Sequence, residues 1–113
     1  MTTFSIAGIQ LELKHTNNKE LVLSKISNTL KRYPWVNMVV LSELAVGGSS
    51  RSEEFSFDNN IEYFKELAAK NDIWLIPGTF YHHSVNKIMN VAPVISNKGE
   101  VIELCSKIYP FLP

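Results

Sequence analysis

Glu43 closes the apolar run of "VVLSELAVGG", and the chain then breaks at Gly47 and Gly48. A carboxylate held between apolar walls has its charged form disfavoured, which suits it to work as a general base. A carboxylate at a strand end can equally cap a nearby backbone amide, and spacing alone does not separate the two readings. Lys107 stands at the end of "EVIELCSK", where a fixed positive charge could stabilise a developing oxyanion. Its plainer reading is a surface lysine at the end of an edge hairpin.

Cys105 is the only cysteine. It falls within an expected strand, with no histidine close in sequence to activate its thiol, so it reads as a small buried or half-buried apolar residue rather than a nucleophile. His82 and His83 are adjacent, so on a strand they point to opposite faces and cannot chelate one metal together; His15 stands alone. No metal and no organic cofactor is expected. The glycines of "VGGSSR" could form an anion-binding nest of backbone N–H groups, helped by Ser49, Ser50 and Arg51. No helix pattern starts directly after them and the lysine of a P-loop is missing, so an ordinary turn explains them as well.

The elements that must position these residues follow from periodicity. "TFSIAGIQLEL" is rich in Ile and Leu and alternates loosely, as a strand does. Asn17 with Glu20 resembles a capping box, and Val22, Ile26, Leu30 and Tyr33 then recur at helical spacing up to Pro34. "WVNMVVL" is a nearly all-apolar strand, suited to a sheet covered on both faces. Asn59 with Glu62 repeats the cap pattern before a second helix with Ile61, Phe64 and Leu67 on its apolar stripe. "IWLIPGTFY" is a strand broken by Pro77 and Gly78. "NVAPVIS", the turn Asn97 to Gly99 and "EVIELCSK" form a hairpin. The order is β-α-β-α-β and then a β-hairpin: an α/β fold with parallel pairing and a mixed sheet. In such sheets ligands bind beyond the carboxyl ends of the strands, where both Glu43 and Lys107 stand.

Eleven basic residues balance eleven acidic ones, so no electrostatic footprint for nucleic acid or anionic membrane is present. No apolar run approaches the roughly 20 residues that span a bilayer, and the N-terminus lacks the pattern of a signal peptide. A single cysteine fits a reducing compartment, and a cytoplasmic location is expected.

With these residues placed, the chain resembles the N-terminal portion of the nitrilase (carbon–nitrogen hydrolase) superfamily. "FSIAGIQLEL" resembles that family's opening strand and "VVLSELAVGG" the segment bearing its catalytic glutamate. "IPGTFYHHSVNKIMNVAPVISNKGEVIELCSKIYPFLP" resembles the stretch leading through an asparagine and a hairpin to its catalytic lysine. The resemblance implies a four-layer α-β-β-α sandwich, of which residues 1–113 would be one partial domain supplying about the first half. It implies Glu43 as general base, Lys107 as oxyanion stabiliser and Asn90 in a structural role. In the family mechanism the glutamate takes the proton of a cysteine thiol and the thiolate attacks an amide or nitrile carbon. The lysine stabilises the charge that develops, ammonia or an amine leaves, and water hydrolyses the acyl-enzyme. That cysteine lies well beyond the lysine, and Cys105 does not match it. The 113 residues therefore carry two members of a Glu-Lys-Cys triad, and this portion alone is expected to be inactive.

Ser42 stands where a proline usually precedes the glutamate, Ser49 where an aromatic residue commonly follows the glycine, and Tyr109 and Pro110 where His-Leu is usual. The implied partner is a small amide, N-carbamoyl compound or nitrile, and the implied assembly a homo-oligomer. The alternative is a non-catalytic α/β protein that binds a small anion at "GGSSR" or joins a complex through an exposed sheet face. An isolated half would leave strand edges and a sheet face uncovered.

Overall fold

The computed structural model describes residues 3–15, 17–84 and 87–106. Strand β1 (Ile6–Ile9) leads to helix α1 (Lys19–Arg32), strand β2 (Met38–Leu41), a 3-10 turn (Glu53–Phe55), helix α2 (Phe57–Asn71) and strand β3 (Trp74–Ile76). Strands β4 (Phe80–Ser84), β5 (Lys87–Ile95) and β6 (Val101–Ser106) complete the order. β1 pairs with β2 and β2 with β3 in parallel, while β5 pairs antiparallel with β3, β4 and β6. This is the mixed α/β sheet expected from the sequence.

The register explains how the broken strand is used. Val91 pairs with both Phe80 and Ser106, and Ile95 with both Leu75 and Val101. β3 and β4 therefore run end to end along one edge of β5, with Pro77 and Gly78 as the joint, and β6 lies on the other edge. β5 is longer than the expected "NVAPVIS", because its first half forms an additional hairpin with β4. β1 is shorter than expected, since only Ile6–Ile9 pair with β2.

Both helices cover one face of this sheet. Val22 and Ile26 of α1, with Ile61, Phe64 and Ala68 of α2, pack in a single core with Val39, Leu41, Leu75, Phe80 and Ile95. The opposite face, carrying Ile6, Met38, Val40, Trp74 and Ile76, has no helix over it among the described residues. Ile6 is 60% exposed there. β6 is exposed along its whole length. Cys105 is therefore exposed, correcting the expectation of a buried or half-buried residue. The apolar character of β6 is genuine, but among the described residues no layer covers this edge strand.

The two helix starts differ from the expected caps. α1 begins after Asn18, not Asn17, and Asn17 sits at φ 53. The Asn18 side chain is turned away from the helix amides and clamps Lys14, accepting from its N–H at 2.8 Å and donating to its carbonyl at 3.0 Å. α2 begins three residues earlier than expected. Ser56, not Asn59, is its N-cap, and the Ser56 Oγ accepts the Asn59 N–H at 3.4 Å. Asn60 is buried beneath the 3-10 turn and donates to the carbonyls of Ser56 and Glu54, so a buried polar group replaces the capping-box glutamate as the organiser of this junction.

Candidate active site

Leu41 ends β2, and the chain turns at once through residues 43–49. Contacts at both ends fix that turn. The Leu44 N–H donates to Thr79 Oγ1 at 2.9 Å, and Leu44 is held at φ 53. Gly78, at φ +96, lies so close beneath the turn that a Cβ there would collide with the Ser42 carbonyl oxygen. Only glycine combines that backbone angle with that approach. The far end is tied to the loop before α1: Asn18 N–H donates to the Val46 carbonyl at 2.7 Å, and Ser49 N–H to the His15 carbonyl at 2.9 Å. The Ser49 hydroxyl is also hydrogen-bonded to His15 Nδ1.

Asn90 Nδ2 donates to the Glu43 carboxylate at 2.7 Å, across 47 residues of sequence. Asn90 is paired across the antiparallel ladder with Tyr81. Directly opposed residues share a face, and the neighbouring pair Phe80–Val91 is buried under the helices. Glu43, Asn90 and Tyr81 therefore lie on the face away from the helices. Asn90 Oδ1 is buried and accepts no hydrogen bond from the described residues. The amide orientation is fixed by its partner, because a flipped amide would set an oxygen against the carboxylate.

Glu43 is exposed, which corrects the expected enclosure between apolar walls: the apolar residues before it stay in the sheet while the turn carries the carboxylate out. Ser106, the last described residue of β6, pairs with Val91 beside Asn90. Lys107, Tyr109 and Pro110 lie outside the described residues.

The glycine loop is already committed. The N–H groups of Gly48, Ser49 and Ser50 donate to the carbonyls of Leu44, His15 and Gly47 respectively. An anion nest built on these three amides has no free donors. The Arg51 guanidinium instead lies over the Tyr81 ring, 5.4 Å from its centroid. His82 packs against Phe57, its Nε2 lying 3.7 Å from Asp58, while the buried His83 Nε2 has no hydrogen-bond partner among the described residues. Among the described residues no group of three potential ligands could hold a metal ion.

Sequence reasoning assigned Asn90 a structural role and left Thr79 and the Arg51–Tyr81 contact unremarked. The signal for Thr79 was its place after Gly78, since a glycine at a strand break marks close backbone approach. No local pattern marks a contact between Arg51 and Tyr81, which are thirty positions apart.

No family model matches the sequence, and a search of curated proteins found no match. Among solved structures the architecture is that of the nitrilase superfamily. The chain is similar to Saccharomyces cerevisiae Nit3, a member of branch 10 of that superfamily, with a TM-score of 0.79 and 21% identity over 94% of this chain and 44% of that one. It is also similar to a carbon–nitrogen hydrolase from Helicobacter pylori G27, with a TM-score of 0.76 and 23% identity over 94% of this chain and 40% of that one. A Nesterenkonia amidase matches with a TM-score of 0.77 and 17% identity over 98% of this chain and 46% of that one. At these identities the likeness establishes the fold. The chain spans less than half the length of these three neighbours, consistent with an α/β half-domain. Among the described residues no helix is long and apolar enough to cross a membrane.

Proposed function

We propose that residues 1–113 are one partial domain of a cysteine-dependent amidohydrolase. The complete protein hydrolyses a non-peptide C–N bond in a small amide, N-carbamoyl compound or nitrile, in the cytoplasm, as a homo-oligomer and without metal or organic cofactor. Glu43 is the general base, Lys107 stabilises the oxyanion, and the nucleophilic cysteine comes from polypeptide outside these residues. The observation that carries this reading is the Glu43 carboxylate, delivered by a strand-end turn and held at 2.7 Å by Asn90 on the sheet face away from the helices. A base placed there can take a thiol proton from a layer that covers the face.

The reading is tested on the native protein, immunopurified with an antibody against residues 52–70. The expected species is much heavier than the 12.8 kDa of this chain and releases ammonia from short amides. That activity is expected to be abolished by iodoacetamide in the wild type and in a Cys105→Ser variant alike, with the variant retaining the wild-type rate beforehand. Activity that resists alkylation, or that vanishes with Cys105→Ser, contradicts the assignment.

A further inference from the structure

The last turns of α1 and α2 enclose a cleft of about 350 Å³ between the two helices. Leu23, Ser27, Leu30 and Lys31 recur along α1 at helical neighbour spacing, so they form one stripe facing α2. The small Ser27 falls between Leu23 and Leu30, where a large apolar side chain would fill the gap, and it is exposed. Leu23 and Leu30, with Leu67 of α2, are half-buried against the core and form the apolar walls. Lys31 and Lys70, each in the last turn of its helix, also line the cleft. Neither lysine forms an ion pair among the described residues, not even Lys70 with Glu66 one turn before it. The carbonyls that end α2 do not occupy them: Leu67 accepts from Asn71 Nδ2, and Ala68 and Ala69 accept from the Asp72 N–H. The cleft is remote from Glu43, which follows the carboxyl end of β2 on the sheet face away from the helices.

We propose that this cleft binds a fatty carboxylate, with the aliphatic chain between Leu23, Leu30 and Leu67 and the carboxylate against Lys31 and Lys70. Charge decides the head group: two uncompensated ammonium groups on an apolar cleft match a chain that ends in an anion. Size decides the tail: the volume lies near the lower end of the range for small-molecule pockets, so it suits one extended chain rather than the face of a partner helix. The two lysines also offset the negative ends of the helix dipoles, which would otherwise repel an anion there. The site uses none of the residues around Glu43, and it stands whether or not the complete protein is a hydrolase.

The test is a calorimetric titration of the native-length protein with hexanoate, octanoate and decanoate, each below its micelle-forming concentration, and with octan-1-ol as the uncharged match. Affinity is expected to rise about two- to fourfold per added methylene, the upper figure being full burial of the group. Octanoate is expected to bind about tenfold more tightly than octan-1-ol, the scale of two partly solvated ion pairs, and that preference should shrink as salt is raised. The double variant Lys31→Gln/Lys70→Gln is expected to erase the preference while leaving octan-1-ol affinity unchanged. Ser27→Trp, which puts an indole into the gap from an exposed position, is expected to abolish binding of acid and alcohol alike, with circular dichroism unchanged. No decanoate binding, affinities independent of chain length, or octan-1-ol binding as tightly as octanoate overturns the proposal. So does octanoate binding that survives Ser27→Trp in a folded protein. A Ser27→Trp change in oligomer size without any acid binding, or binding to vesicles of anionic lipid but not to the free acids, also overturns it and assigns the cleft to a second copy or to a membrane surface.

Discussion

Gly78→Ala isolates the contact on which the Glu43 turn depends. Gly78 sits at φ +96, and an added Cβ would meet the Ser42 carbonyl oxygen and come within 3.2 Å of the Ala45 Cβ. Holding an L-residue at a positive φ costs about 1–2 kcal/mol. Forcing a methyl group into a packed contact costs about 1–3 kcal/mol more. The expected destabilisation is therefore about 2–5 kcal/mol, a large part of the roughly 5–15 kcal/mol by which a domain is stable. Urea unfolding followed by circular dichroism reads it directly. With an m-value of about 1–3 kcal/mol/M, the midpoint should fall by roughly 1–5 M at unchanged slope. Gly8→Ala is the matched control, because a Cβ there meets nothing within 4 Å. It should change stability by less than about 0.5 kcal/mol or raise it slightly, since a strand glycine is less favourable than alanine. A Gly78→Ala midpoint equal to that of the wild type refutes the argument that this close approach fixes the turn.

Phe64→Ala, at a fully buried position between the helices and sheet, should lower stability by about 3–5 kcal/mol in the same assay. Ser56→Ala removes the N-cap of α2, and its cost should stay near about 0.5–1 kcal/mol because the capping bond is long at 3.4 Å. Asn60→Leu leaves the Ser56 and Glu54 carbonyls without their donor and should cost about 1–3 kcal/mol, with faster hydrogen exchange at Phe55 and Ser56. Ile102→Lys on the exposed strand β6 should reduce light scattering by the 113-residue chain at a given concentration, because charge on an edge strand opposes strand-to-strand association. Unchanged scattering would show that β6 is not the surface through which the chain associates.

The element order and the mixed sheet were legible because their signals are local. Val22 and Ile26, or Ile61, Phe64 and Leu67, repeat at helical spacing, and β2 reads as an apolar run closed by Glu43. The helix starts were not legible to the residue. Asn17 and Asn18 are adjacent cap formers, as are Ser56 and Asn59 at one turn's spacing, and tertiary contacts chose between them. Burial misled where it depends on a covering layer. Cys105 and its neighbours carry the residues of a covered strand, yet no described layer lies over β6. At the candidate site, Glu43 was visible as a carboxylate ending an apolar strand. Its contact with Asn90 joins residues 47 apart and exists only through the pairing of β4, β5 and the Gly78 turn.

The central claim is that Glu43 is the general base of a carbon–nitrogen hydrolase, and ammonia release tests it most directly. The native-length protein and its Glu43→Gln variant would be assayed side by side on short amides, N-carbamoyl compounds and nitriles, with circular dichroism confirming that both are folded. The wild type is expected to release ammonia from at least one class. The variant is expected to lose about 100-fold or more of that rate, the scale at which removing a positioned acid–base group acts. A folded Glu43→Gln protein that turns over at the wild-type rate contradicts the account.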